Sequence, residues 1–288
     1  MTNNSNIIDG SVTAKEIRDE IRKEVIVLKE KYNKVPGLAT ILVGENPGSK
    51  MYVNLKHKAC EEAGIYSVVE KFSDGVSEDE LINKIIELNN NSQIHGILVQ
   101  LPLPKHINEQ KVMNAISPGK DADGFHPENM GNLMIGNEGL VPCTPKGIIY
   151  LLERNNVKIQ GAEVVVVNHS NVIGKPITAL LLNRNATVTV CHVFTKNLAE
   201  HTRKAEILIT GTGVPNLIKS DMVKEGVVVI DAGIARVEGK TVGDVDFENV
   251  KKKTSLITPV PGGVGPMTIA MLLSNTLDAF KKSIEIVK

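Results

Sequence analysis

The chain has 288 residues, with 33 Lys and Arg balanced by 33 Asp and Glu, and 42% hydrophobic residues against 23% charged. This is ordinary globular composition at a length suited to about two domains of roughly 150 residues, and a net charge of zero disfavours a partner recognised through a phosphate backbone or an anionic lipid surface. No apolar run reaches the roughly 18 to 20 residues that cross a bilayer, and the polar opening MTNNSNIIDG lacks the basic and apolar regions of a signal peptide; the expectation is a cytoplasmic protein that handles small molecules, with no nucleic-acid or membrane partner.

From Thr13 onward, Ile17, Ile21, Val25, Leu28 and Tyr32 recur at three- or four-residue intervals among Lys, Glu and Arg, the apolar stripe of one long amphipathic helix. Pro36-Gly37 ends it. A buried strand follows at Leu38 to Val43, then a turn from Gly44 to Gly48, a helix from Ser49 to about Ala63 stopped by Gly64, and a strand near Ile65 to Phe72. Ser77 with Glu80 three residues on has capping-box spacing and opens the next helix, which leads to the strand HGILVQL. The passage from Leu101 through Pro142 is rich in Pro and Gly with little periodicity, which reads as a long functional loop. Thr144-Pro145 has the form of an N-cap followed by Pro at the first helical position, opening GIIYLLE.

Strand-like runs then begin near Glu163, Thr187, Glu206, Gly226 and Ser255, and a last helix begins at about Met267. Runs of Val and Ile without polar alternation read as strands buried on both faces, and strands alternating with helices predict an α/β fold with mostly parallel sheets. The second half reads as a Rossmann-like doubly wound nucleotide-binding lobe. Residues 1–143 with 267–288 are expected to form the first domain and 144–266 the second. Cys60, Cys143 and Cys191 are too few and too far apart for a disulfide framework or a zinc knuckle and read as small buried hydrophobes.

Several segments can carry chemistry. The loop HSNVIGKP joins a strand to a helix, where free N–H groups and the helix dipole suit a pyrophosphate, although it is not GxGxxG and a plain turn is an equal reading. The next strand ends in Cys191-His192-Val193-Phe194-Thr195-Lys196. It offers neither the acid of an NAD site nor the arginine of an NADP site, and leaves His169 and Lys196 as the nearby candidate cations. Tyr52 and Lys56 share a helix face at i and i+4; a lysine at a cleft wall can move protons, although most helix lysines are solvated. Gln100 ends a parallel strand, where ligands collect. In KDADGFHPEN one of Asp121 and Asp123 suits a polar ring and the other a turn, and the set is too small for a metal. PVPGGVGPMT reads as a loop shaped to touch a ligand, or as a hinge.

Together, YVNLKHKACEEAGI, GILVQLPLP, KDADGFHPENMGNL, CTPKG, HSNVIGKP and PVPGGVGPMT resemble the bifunctional methylenetetrahydrofolate dehydrogenase/cyclohydrolase family of the bacterial FolD type, from about Ile8 to Leu277. The resemblance implies two lobes joined by long helices with the active-site cleft between them. It implies oxidation of 5,10-methylenetetrahydrofolate by NADP+ followed by hydrolysis of the methenyl cation to 10-formyltetrahydrofolate, with no metal and as a homodimer. Lys56 would manage protons, Gln100 would tune Lys56, Tyr52 would stack along the folate and Asp123 would hold the pterin, with Leu101, Pro261, Gly262 and Gly263 bordering the substrate. Asn168, His169, Ser170, Gly174, Val193, Lys196, Thr144 and Ile234 would line the cofactor. The family usually reads GRS where this chain has Asn168-His169-Ser170, and Arg or Ser at Val193, so NAD is an alternative to NADP. A monofunctional dehydrogenase, NAD-linked or not, and a catalytically silent nucleotide- or folate-binding protein are the competing expectations.

Overall fold

A computed structural model describes residues 6–285. In chain order the elements are α1 (Gly10–Tyr32), β1 (Gly37–Val43), α2 (Pro47–Glu62), β2 (Tyr66–Phe72), α3 (Glu78–Asn90), β3 (Gly96–Val99), α4 (Glu109–Ala115), α5 (Pro127–Met134) and α6 (Cys143–Arg154). They continue with β4 (Glu163–Val167), α7 (Gly174–Asn183), β5 (Thr187–Cys191), α8 (Leu198–Thr202), β6 (Ile207–Thr210), β7 (Val227–Asp231), β8 (Ala235–Val237), β9 (Lys240–Val242), α9 (Phe247–Val250), β10 (Thr254–Ile257) and α10 (Val264–Glu285). The chain divides into two compact units, one holding Lys15–Asn132, Glu138–Cys143 and residues from Ile269 on, the other Thr144–Thr268 with the segments up to Ala14 and Leu133–Asn137.

The first of these units is built on a three-stranded parallel sheet in the order β2-β1-β3. Central β1 is buried along its whole length, as its unbroken apolar sequence requires. Leu81 and Ile85 of α3 pack with Ile41 and Ile97 in one apolar cluster, each fully buried side chain contributing about 1.5–3 kcal/mol. Ser77 caps α3 by accepting from the Glu80 N–H at 3.2 Å, as the capping-box spacing predicts. Helix α2 starts two residues before the expected Ser49 because Asn46 is its cap, accepting from the Ser49 N–H at 3.0 Å, and Pro47 needs no N–H partner there.

The passage after β3 is more ordered than its weak periodicity predicts, since it contains α4, a 3₁₀ turn at Pro118–Lys120 and α5. These helices are short and held by local polar contacts: Asn108 caps α4 at the Lys111 N–H. Asn275, fully buried on α10, donates to the carbonyls of Ala122 at 2.9 Å and Val141 at 2.8 Å, drawing both ends of this passage onto one helix.

The other unit has a five-stranded parallel sheet in the order β10-β7-β6-β4-β5. Strands β4, β6 and β7 are buried on both faces apart from Glu163. The expectation of two buried faces fails for TVTVC, because β5 is the sheet edge and Thr187 and Val190 are exposed. The antiparallel hairpin β8–β9 has no counterpart in the predicted elements; it turns at Glu238 and Gly239, both at positive φ. Strand β7 stops at Asp231 rather than running through Ile234, and α10 begins at Val264 rather than Met267.

The units depart from the expected division in two segments and at Met267–Thr268, which group with the five-stranded unit. Ile8 donates to the Ile257 carbonyl and Ile257 to that of Asn6, both at 2.8 Å, so the segment before α1 extends the ladder at β10. Asn183 donates to the Leu133 carbonyl at 3.0 Å, tying 133–137 to α7. All three cysteines are buried and none is in a disulfide, as expected of small hydrophobes, and burial pushes the Cys60 thiol up to about 12.

Replacing Asn275 with Ala leaves two buried carbonyls without that donor, and we expect a loss of about 2–4 kcal/mol. Urea unfolding of the variant beside the parent chain measures it.

Candidate functional site

In the three-stranded unit, α2 places Tyr52 and Lys56 one turn apart. Lys56 is not the solvated lysine that helix spacing favours: it is 9% exposed, against 39% for Tyr52. Its Nζ donates to Gln100 Oε1 at 3.1 Å, and Gln100 Nε2 donates to the Leu101 carbonyl at 2.9 Å. The second bond fixes which end of the amide meets the lysine. Gln100 itself is held at the carboxyl end of β3, its N–H continuing the ladder to Ile41.

The two aspartates divide as sequence reasoning left open. Asp121 builds the loop: its carboxylate accepts from the N–H groups of Gly124 at 3.1 Å and His126 at 2.7 Å and from Asn129 Nδ2 at 3.0 Å. Asp123 lies within electrostatic reach of Lys56; burial pushes its carboxyl above the ordinary range, while the Lys56 ammonium pulls it back. Gln100 and Asp123, distant in sequence, thus both come near Lys56 within one unit.

In the five-stranded unit, the loop from β4 to α7 is drawn tight by Asn168. Its Oδ1 accepts from the N–H groups of Ser170 at 2.7 Å and Gly174 at 3.0 Å, and its Nδ2 donates to the Gly211 carbonyl. A Cβ on Gly174 would stand 2.2 Å from the Asn168 carbonyl oxygen, so only glycine allows this approach. Ser170 Oγ accepts from Ile173 N–H at 3.1 Å. Asn168 and Ser170 therefore shape the loop with their side chains. The exposed imidazole of His169 meets that of His192 at the end of β5, ring centres 4.8 Å apart. Beside them Val193 and Phe194 are 84% and 83% exposed, and Lys196 is also exposed. Ile234, 52% exposed, follows β7. The open carboxyl ends of β4, β5, β6 and β7 with a glycine at a helix N-terminus fit a dinucleotide.

Other expected site residues have structural partners in this unit. Thr144 lies inside the first turn of α6 and shares a 2.9 Å hydroxyl hydrogen bond with Thr268 instead of capping the helix. The Gly262 carbonyl accepts from Ser11 N–H at 3.0 Å, and Gly263 lies against Gly10, where a Cβ would stand 1.8 Å from the Gly263 oxygen.

Sequence reasoning missed Asp231 and Asp244. Asp244 accepts from Thr210 Oγ1 at 2.7 Å and from the N–H groups of Thr212 at 2.5 Å and Gly213 at 2.9 Å, while Asp231 accepts from Gly233 N–H at 2.8 Å and Val245 N–H at 2.9 Å. They fix the turns that follow β6 and β7. The signal was available: each is an acid in an apolar strand run or beside glycine, which needs partners when buried. Among the described residues no three of His, Cys, Asp and Glu are grouped to hold a metal, and no helix is long and apolar enough to cross a membrane.

Residues 8–123 match the catalytic-domain model of tetrahydrofolate dehydrogenase/cyclohydrolase, and residues 142–284 match its NAD(P)-binding-domain model. The chain belongs to the tetrahydrofolate dehydrogenase/cyclohydrolase family. It is 57% identical over 98% of its length to a protein from Methanococcoides burtonii named bifunctional protein FolD, covering 99% of that relative. A crystal structure of the bifunctional FolD enzyme of Campylobacter jejuni superposes with a TM-score of 0.95 at 49% identity, over 96% of this chain and 99% of that one. The FolD structure of Trypanosoma brucei, complexed with NADP cofactor and inhibitor, superposes with a TM-score of 0.93 at 40% identity, over 96% of this chain and 98% of that one. Within this family fold, Lys56, Gln100 and Asp123 belong to the catalytic domain and the Asn168 loop to the NAD(P)-binding domain.

Burial, with the Asp244 carboxylate adding to it, pushes the Asp231 carboxyl from 3.8 to about 6, against the Gly233 and Val245 N–H groups that favour its ionised form. A carboxyl raised in the folded state stabilises the fold below its unfolded value, and that contribution is lost as pH rises through the folded value. From pH 7.5 down to 5, the parent chain is expected to gain about 1–1.5 kcal/mol relative to Asp231→Asn. Urea midpoints of both proteins across that window test this difference.

Proposed function

We propose that the chain oxidises 5,10-methylenetetrahydrofolate with NADP+ and hydrolyses the resulting methenyl cation to 10-formyltetrahydrofolate. The observation that supports both steps best is the buried Lys56 held by Gln100 beside Asp123. NADP+, when bound, takes the hydride from the folate methylene carbon. Hydrolysis then adds water to the electrophilic methenyl carbon, loses a proton from that water, and passes a proton to the ring nitrogen as its bond to the carbon breaks. Lys56 can serve both transfers, since one of its N–H bonds is directed at Gln100 and the rest of the nitrogen is left for the reacting water. Asp123 is suited to accept from or donate to the polar edge of the pterin, and Tyr52, half exposed one turn away, to lie along the folate.

The cofactor preference is proposed as NADP, with NAD as the alternative that the chain's own residues raise. His169 and His192 stand in place of a bidentate arginine, and an imidazole lacks the planar fork with which a guanidinium pairs a phosphate. No acid stands at the end of β5 to receive the ribose hydroxyls of NAD. A homodimer formed through the NAD(P)-binding domain is likewise proposed, supported by the exposed edge of β5 and by Val193 and Phe194 beyond it.

Lys56→Met is expected to lower cyclohydrolase turnover at least ~100-fold while leaving NADP+ affinity unchanged; a parallel loss of both would show that Lys56 supports the fold instead. Val193→Arg is expected to raise the ratio of NADP to NAD affinity about tenfold, because only NADP carries the phosphate an arginine can pair with. An absorbance assay with methylenetetrahydrofolate, each cofactor offered in turn and the methenyl product followed separately from reduced nucleotide, reads both variants and the proposal itself. Reduction of neither cofactor by the parent chain would overturn the dehydrogenase reading.

A further inference from the structure

The three-stranded unit carries a pocket at the end of its sheet opposite to Gln100. It is a cavity of about 330 Å³ lined by Tyr32, Lys34, Ile94, His95, Lys120 and Ile284, with Ser92 and Ser283 at its margin. His95 immediately precedes β3 and Gln100 follows it, so the two lie about 15 Å apart along the strand. Nothing in the proposed folate chemistry uses these groups.

Among the described residues, the ionisable basic side chains of the lining, Lys34, His95 and Lys120, face no carboxylate there. His95 is 7% exposed, and its Nδ1 accepts from the Gly37 N–H at 3.0 Å. A neutral imidazole that accepts at Nδ1 carries its proton on Nε2. Among the described residues no group accepts from that Nε2, and no buried side-chain nitrogen or oxygen sealed from solvent lacks a partner. The imidazole, packed edge-to-face with Phe280 at 4.8 Å, lines this cavity, and its Nε2–H is left for a ligand there. Lys120 Nζ donates to the carbonyls of Leu88 at 3.3 Å and Asn91 at 2.8 Å, which holds the ammonium in place with a third N–H remaining. Lys34 is exposed, and both ammonium groups act on the imidazole, holding it with burial in its neutral form. Glutamate and aspartate are absent from the lining. Ile94 and Ile284 supply apolar walls.

We propose that this cavity is a binding site for a small organic anion, a carboxylate or phosphate monoester with a compact apolar body, whose charged end accepts from His95 Nε2 and lies between Lys34 and Lys120. The apolar body packs on Ile94 and Ile284. Lys120 is also the residue next to Asp121 in sequence, so the site borders the loop that carries Asp123.

The test uses the full chain with ring-labelled histidine, observing the His95 resonances by NMR while phenyl phosphate, and in a separate arm inorganic phosphate, is added. Saturable shifts at His95 are expected with phenyl phosphate, with its imidazole titrating at least one pH unit higher in the bound form because the anion favours the imidazolium. Phenyl phosphate is expected to bind at least tenfold tighter than inorganic phosphate. Lys34→Gln, an exposed change remote from the folate-binding groups, is expected to weaken phenyl phosphate at least fivefold. An unmoved His95, or a shift that does not saturate at millimolar ligand, would overturn the site. Equal binding of the two phosphates would overturn its assignment to an organic anion, and an unchanged affinity in Lys34→Gln would overturn the proposed placement of the charge.

Discussion

Every strand pair in the two main sheets is parallel, and this constraint organises the chemistry of the chain. A parallel pair cannot be closed by a tight turn, so each strand is followed by a crossover, and the carboxyl ends of all strands fall on one edge of their sheet. The central strands are largely apolar, and polar side chains are few within them. The residues able to meet a ligand therefore gather in the segments that leave the strands: Gln100 after β3, Asn168 after β4, His192 after β5, Gly211 after β6, and Gly233 and Ile234 after β7. The same topology creates an opposite edge, where the strands enter, and His95 lies there.

Much of the polar complement at these edges serves the backbone instead of a ligand. Asp121, Asn168, Asp231, Asp244 and Asn275 all engage main-chain N–H or carbonyl groups in turns that have no regular ladder to satisfy them. Each is costly to bury alone and favourable once its partners are in place. In the three-stranded unit, Asp121 and Asn275 in this way brace the loop that carries Asp123.

Periodicity made α1, β1 and α3 legible, and the cap at Ser77 located one helix boundary to the residue. It did less well wherever tertiary position decides the outcome. The Val-rich composition of β5 matches a buried strand, yet its place at the edge of the sheet leaves Val190 in solvent. Helices α4 and α5 are too short for a clear apolar stripe and depend on Asn108 and on Asp121 for their framework. For the site, helix spacing alone favoured a solvated Lys56; motif resemblance singled it out, because its burial depends on Gln100, 44 positions later. The two aspartates of KDADG could not be told apart by type or spacing, since the difference lies in which one the N–H groups of Gly124 and His126 surround.

Two of the buried titratable groups, His95 and Asp231, respond oppositely to acid. His95 is driven from 6.5 to about 4, by burial first and then by Lys120 and Lys34, so its contribution is complete above its unfolded value and fades as pH falls through about 4. Asp231, raised from 3.8 to about 6, contributes nothing at alkaline pH and most in acid. As pH falls from 6.5 toward 4, His95 therefore subtracts from the stability of its own unit while Asp231 adds to that of the other, so these two groups at the ends of different parallel strands answer acid with opposite sign.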